Sequence, residues 1–119
     1  MIDAPVDTPE KVAALLPFSN DRVAFLGETI RILRGMLRVP LIGFSGAPFT
    51  LASYLIEGRP SRTWSKTKKF MLEHPEAWDL LMTKLSDATI DYLRAQADAG
   101  AQALQVFDSW VGCLSPAQY

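Results

Sequence analysis

Polar and aromatic side chains converge in one short stretch, Phe107-Asp108-Ser109-Trp110, directly after the apolar run at residues 101–107. A hydroxyl and a carboxylate at the end of an apolar run suit the carboxyl end of a buried strand, where α/β proteins assemble their sites. Phe44-Ser45 holds the equivalent place after an earlier apolar run at residues 39–44. The remaining reactive groups are scattered. His74, the single histidine, precedes Pro75 at a helix break, with no second histidine or cysteine nearby to complete a ligand set. Asp87 and Asp91 are four apart and share a helical face, a spacing common on exposed helices and given no catalytic weight. Arg22, Arg31, Arg34 and Arg38 could form an anion patch, but a solvated face with positive charge toward its helix end explains them better. Lys66, Lys68 and Lys69 lie beside Trp64 and Phe70, as in some nucleic-acid binders. The cluster is short and the net charge is −1, so the sequence points to no nucleic-acid partner. There is no Ser-His-Asp arrangement, no CxxC and no phosphate loop with a lysine.

The elements that must position these groups follow from punctuation and periodicity. Residues 41–44, bounded by Pro40 and by Gly43 and Gly46, read as a short buried strand. Pro48 suits the first position of a helix carrying Leu51, Tyr54 and Leu55, and Gly58 suits its end. Ser61 or Thr63 is the expected N-cap of a basic helix that follows. Pro75 restarts a helix with Trp78, Leu81, Leu85 and Tyr92 on one apolar arc, closed by Gly100 near residue 99. Residues 103–107 give the second strand, and Ser115-Pro116 a further helix start. Upstream, Thr8 caps a short helix opening at Pro9 and stopped by Pro17. Residues 20–38 predict an amphipathic helix through Val23, Leu26, Ile30, Leu33 and Leu37. Strand, helices and strand in this order imply two parallel strands, with helix 75–99 as the crossover.

The whole is 119 residues long, 49% hydrophobic and 21% charged, an ordinary globular composition for one small domain. No apolar run has bilayer-spanning length and no signal peptide opens the chain, so no membrane is expected. The lone Cys113 has no partner for an intrachain disulfide and fits a cytoplasmic location.

The string Gly43-Phe44-Ser45-Gly46-Ala47-Pro48-Phe49-Thr50-Leu51, continued by Tyr54 and Glu57-Gly58, resembles a motif of the uroporphyrinogen decarboxylase family. AGAQALQVFDSW, residues 99–110, resembles a second motif at the right distance downstream. Two spaced motifs in order are far more specific than a lone glycine pattern. The resemblance runs from Arg38 to Tyr119, more loosely before it, and covers a middle portion of the family's chain. It implies that residues 1–119 are an internal fragment of one TIM-barrel domain, an α/β segment with two parallel strands and several helices, since a (β/α)8 barrel needs about 250 residues.

The resemblance further implies a cofactor-independent carboxy-lyase, using neither metal nor organic cofactor, acting on a porphyrinogen and forming a homo-oligomer. It assigns Tyr54 to a hydroxyl facing the cleft and Ser109 to a hydrogen bond with substrate, with Phe44 and Phe107 as apolar walls. No catalytic residue is assigned within this chain. The family's aspartate beneath the pyrrole N–H groups and its carboxylate-binding arginines belong to segments before this one, and its histidine to a later one. Asp108 is read as structural. The turn Gly58-Arg59-Pro60 departs from the glycine-richer turn of relatives. Two alternatives stand beside this reading: a zinc- or corrinoid-linked methyltransferase of the same superfamily, and a non-catalytic interaction module.

Overall fold

The computed structural model describes residues 2–59 and 61–119. Helix α1, Pro9–Ala14, begins as its sequence dictates: Thr8 is extended and its hydroxyl accepts from the Lys11 amide at 3.4 Å. It stops before Pro17 is reached. The Lys84 ammonium, from a later helix, donates to the carbonyls of Val12, Ala13 and Leu15 at 3.0, 2.8 and 2.8 Å, satisfying the helix end there. The helix expected over residues 20–38 is split. Asn20–Val23 forms a 3-10 turn and α2 runs from Ala24 to Met36.

Strand β1, Ile42–Gly46, and strand β2, Ala103–Phe107, pair in parallel as a two-stranded sheet. The register sets Ile42 opposite Ala103, Phe44 opposite Gln105 and Gly46 opposite Phe107. β1 therefore starts and ends later than the sequence implies, because pairing with β2 continues to Ala47, whose N–H donates to the Phe107 carbonyl at 2.8 Å. Gly43 leaves room for the Gln96 side chain: a Cβ there would meet the Gln96 Oε1 at 2.7 Å and force that amide to shift.

Three helices connect the strands: α3, Pro48–Glu57; α4, Ser65–Glu73; and α5, Pro75–Ala99. The bounds of α3 and α5 match the sequence reading, and Gly58 and Gly100 close them in left-handed backbone, with φ of 69° and 117°. α4 does not begin as expected. Ser61 Oγ accepts from Thr63 and Trp64 amides in the preceding turn, while Trp64 itself holds the cap position. Ser115-Pro116 opens only a turn, closed by the Gln118 side chain on the Ser115 amide at 3.0 Å.

The core lies among helices rather than on the sheet. Val6, Val12, Ala52, Ile56, Phe70 and Leu81 form it, with Leu55, Trp78 and Leu85 packed around them. α5 lies on the face of β1 that carries Gly43 and Ser45, both buried. The opposite face, with Ile42, Phe44 and Phe107, is exposed.

Candidate active site

Both strands run the same way, so their carboxyl ends meet at one edge of the sheet. Alternation places Phe44, Gln105 and Phe107 on the open face. The Phe44 and Phe107 rings touch edge to face, with centroids 6.0 Å apart. They stand 61% and 50% exposed, an apolar wall largely open to solvent. Phe44 is also fixed through its backbone. Leu41 and Ala47 bond to β2, so the strand's alternation turns the N–H and C=O of Phe44 away from β2. There the Gln96 side chain takes both: its Oε1 accepts from the Phe44 amide and its Nε2 donates to the Phe44 carbonyl, each at 2.9 Å. Gln96, 3% exposed, stands in for a neighbouring strand.

Beyond the strand ends, the opening of α3 is tied to the segment after β2. Thr50 Oγ1 donates to Asp108 Oδ1 at 3.0 Å and accepts from the Trp110 amide at 3.4 Å. Asp108 thus has a structural contact, in keeping with its reading from the sequence. One helical turn after Thr50 comes Tyr54, part-exposed, its ring edge-on to two indoles. Trp64 lies 6.0 Å away at 75° and Trp110 6.3 Å away at 88°. The indoles pack on each other at 4.7 Å. Ser109 is exposed in the turn between Asp108 and Trp110. The four candidate residues form two pairs of neighbours: Phe44 with Phe107 on the sheet face, and Tyr54 with the segment bearing Ser109, through Trp110.

His74 stays at the break between α4 and α5, its ring tilted against Phe70. Asp91 pairs with Arg94 at 3.6 Å on the exposed side of α5, as a solvated face would. No group of three or more metal-binding side chains occurs among the described residues.

Reasoning from sequence gave no such role to Thr50, Trp64, Trp110 or Glu57, which it met only inside motifs and clusters, and missed Gln96 altogether. Only Glu57 carried a signal. A carboxylate in the last turn of a helix opposes the helix dipole and calls for a partner. Glu57 is 5% exposed, and its Oε1 accepts from the amides of Lys66 and Thr67 at 3.0 and 3.1 Å and from the Thr67 hydroxyl at 3.3 Å. It caps α4 from the end of α3. Trp64 then carries φ of 52°, a left-handed backbone that costs a bulky residue on the order of 1–3 kcal/mol.

Two parallel strands joined through helices, with an aromatic and hydroxyl cluster at their carboxyl edge, define a segment of an α/β protein. The uroporphyrinogen decarboxylase family model matches residues 1–119, and the chain belongs to that family. It is 57% identical over 120 residues to the uroporphyrinogen decarboxylase of Thermus thermophilus, covering all of this chain and 35% of that protein. The enzyme of the same name from Mycolicibacterium paratuberculosis is 53% identical over 120 residues, covering all of this chain and 34% of the relative. That of Bacillus cytotoxicus is 59% identical over 111 residues, covering 92% of this chain and 31% of the relative. The chain therefore spans about a third of the length of these relatives.

Proposed function

We propose that this chain supplies one wall of the active site of a uroporphyrinogen decarboxylase, the remainder coming from other parts of a (β/α)8 barrel. The match to relatives named for this activity over the whole chain carries the reading. The geometry is consistent with it. An exposed aromatic face on the sheet suits the flat pyrrole rings of a porphyrinogen, and hydroxyls at the sheet's carboxyl edge suit its carboxylates.

The reaction removes carbon dioxide from four acetate side chains of uroporphyrinogen, leaving the four methyl groups of coproporphyrinogen. A proton adds to the electron-rich pyrrole at the α-carbon next to the carbon bearing the acetate, making the ring cationic at that acetate-bearing carbon. The bond to the carboxylate then breaks, its electron pair enters the ring, and carbon dioxide leaves. A proton taken up at the exocyclic carbon and lost from the ring gives the methyl group. The ring itself is the electron acceptor, so neither metal nor organic cofactor is required. The protein must position the substrate and stabilise the transient cation. In this scheme the Tyr54 hydroxyl faces the cleft, Ser109 hydrogen-bonds the substrate, and Phe44 and Phe107 hold the macrocycle. No helix among the described residues is long and apolar enough to cross a membrane. With Cys113 free, we place the enzyme in the cytoplasm.

The test is a chimera in which residues 1–119 replace the matching third of the Thermus thermophilus enzyme. Coproporphyrinogen formation at a rate comparable with the parent supports the reading. A folded chimera without turnover contradicts it.

A further inference from the structure

Trp64 is the only non-glycine residue with positive φ among the described residues, yet its side chain is 4% exposed. A bulky residue adopts that backbone only where its surroundings over-determine it. The Trp64 amide donates to Ser61 Oγ at 3.0 Å and its carbonyl accepts from the Lys68 amide at 3.0 Å. The amides of Lys66 and Thr67, otherwise unpaired at a helix start, are held by Glu57. Glu57 closes α3, the helix that carries Tyr54 one turn earlier. A single buried carboxylate thus fixes where α4 begins relative to α3.

The consequence reaches the candidate site. With α4 so anchored, the Trp64 indole is delivered against the Tyr54 ring and against Trp110, which Thr50 ties to the end of β2. Tyr54 is braced by two indoles at nearly right angles to its plane, one from the start of α4 and one from beyond β2.

We propose that Glu57 and Trp64 are positioning residues for Tyr54. Glu57 sets the start of α4, α4 sets Trp64, and Trp64 together with Trp110 holds the Tyr54 hydroxyl in one orientation over the sheet end. This rests on the reading that Tyr54 faces substrate. Neither Glu57 nor Trp64 needs to touch substrate, so both act through Tyr54.

Two measurements test it. The first follows Tyr54 ring mobility in the full-length chimera by NMR of 3-fluorotyrosine, assigned with Tyr54→Phe. Trp64→Ala and Glu57→Ala are expected to average the Tyr54 signal to one sharper line, while Trp64→Phe and Glu57→Gln keep it near the parent. A Tyr54 signal unchanged in both alanine variants overturns the brace, whatever the turnover. The second uses the full-length chimera. Trp64→Ala is expected to lower kcat about tenfold to a hundredfold, the range for a misplaced reacting group, with KM nearly constant. Trp64→Phe should recover most of that loss. Tyr54→Phe combined with Trp64→Ala should be no slower than Tyr54→Phe alone, because Trp64 acts through the hydroxyl already removed. Multiplying losses in the double variant overturn the proposal. Full turnover by Tyr54→Phe alone defeats instead the reading of Tyr54 as substrate-facing, which the ring measurement does not depend on.

Discussion

Tyr54 and Ser109 carry the most specific claims made on single side chains. Both are part-exposed or exposed, at the edge where the strands end. Removing either hydroxyl deletes a group that the core does not need. In the full-length chimera, Tyr54→Phe and Ser109→Ala are each expected to cost about 1–3 kcal/mol of transition-state stabilisation, roughly fivefold to 150-fold in kcat/KM. Thermal unfolding midpoints should shift little. Turnover within twofold of the parent in both variants counts against the assignment. The position of Ser109 at a strand's carboxyl end was legible because an apolar run ends beside it, while the roles proposed for Ser109 and Tyr54 come only through the motifs in which they stand. Trp64 was not legible at all. Nothing local marks a tryptophan for left-handed backbone, since the cause is a carboxylate on another helix.

At the scale of elements, boundaries written in proline and glycine were readable, and those set by distant partners were not. Pro75 and Gly100 delimit α5 because one lacks the N–H a helix interior needs and the other accepts positive φ. The end of β1 depends on β2, and the end of α1 on Lys84, sixty and more residues away. Gln96 illustrates how such remote contacts bear load. Gln96→Leu would leave the N–H and C=O of Phe44 without their partners, and should destabilise the chain by about 2–3 kcal/mol in urea unfolding. A loss below half a kcal/mol, roughly the level of a neutral surface substitution, would show that water replaces the amide freely. A smaller effect belongs to α1. Lys11 Nζ, 2.6 Å from Asp7 Oδ1, holds that carboxyl below its ordinary 3.8. The folded value is the lower one, so the contribution is whole above pH 3.8 and disappears as pH falls below it. Both side chains are nearly half exposed, which limits it to about half a kcal/mol. Asp7→Asn should thus lower stability slightly at pH 7 and have no effect near pH 2.

For the molecule as a whole, the open face of the sheet governs behaviour in solution. Ile42, Phe44 and Phe107 stand half or more exposed on one side, and Leu104 and Val106 are 44% and 43% exposed on the other. Two strands cannot cover themselves, and each leaves an outer edge, only one position of which Gln96 occupies. Burying apolar surface is worth roughly 25 cal/mol per Å², so association of the isolated 119-residue chain is favoured over a dispersed monomer. Such contacts cover the face that would carry substrate. Catalysis should fail for a separate reason. Under the proposed reading the charges that stabilise a cationic pyrrole come from the rest of the barrel, and this chain spans about a third of its relatives' length. Light scattering of the purified chain, paired with a porphyrinogen assay, examines both expectations. Dimers or larger species at micromolar concentration, inactive throughout, are the expected result. A stable monomer would show that the open face is tolerated in water. Coproporphyrinogen formed by the isolated chain would mean that the residues at this sheet end suffice for the chemistry.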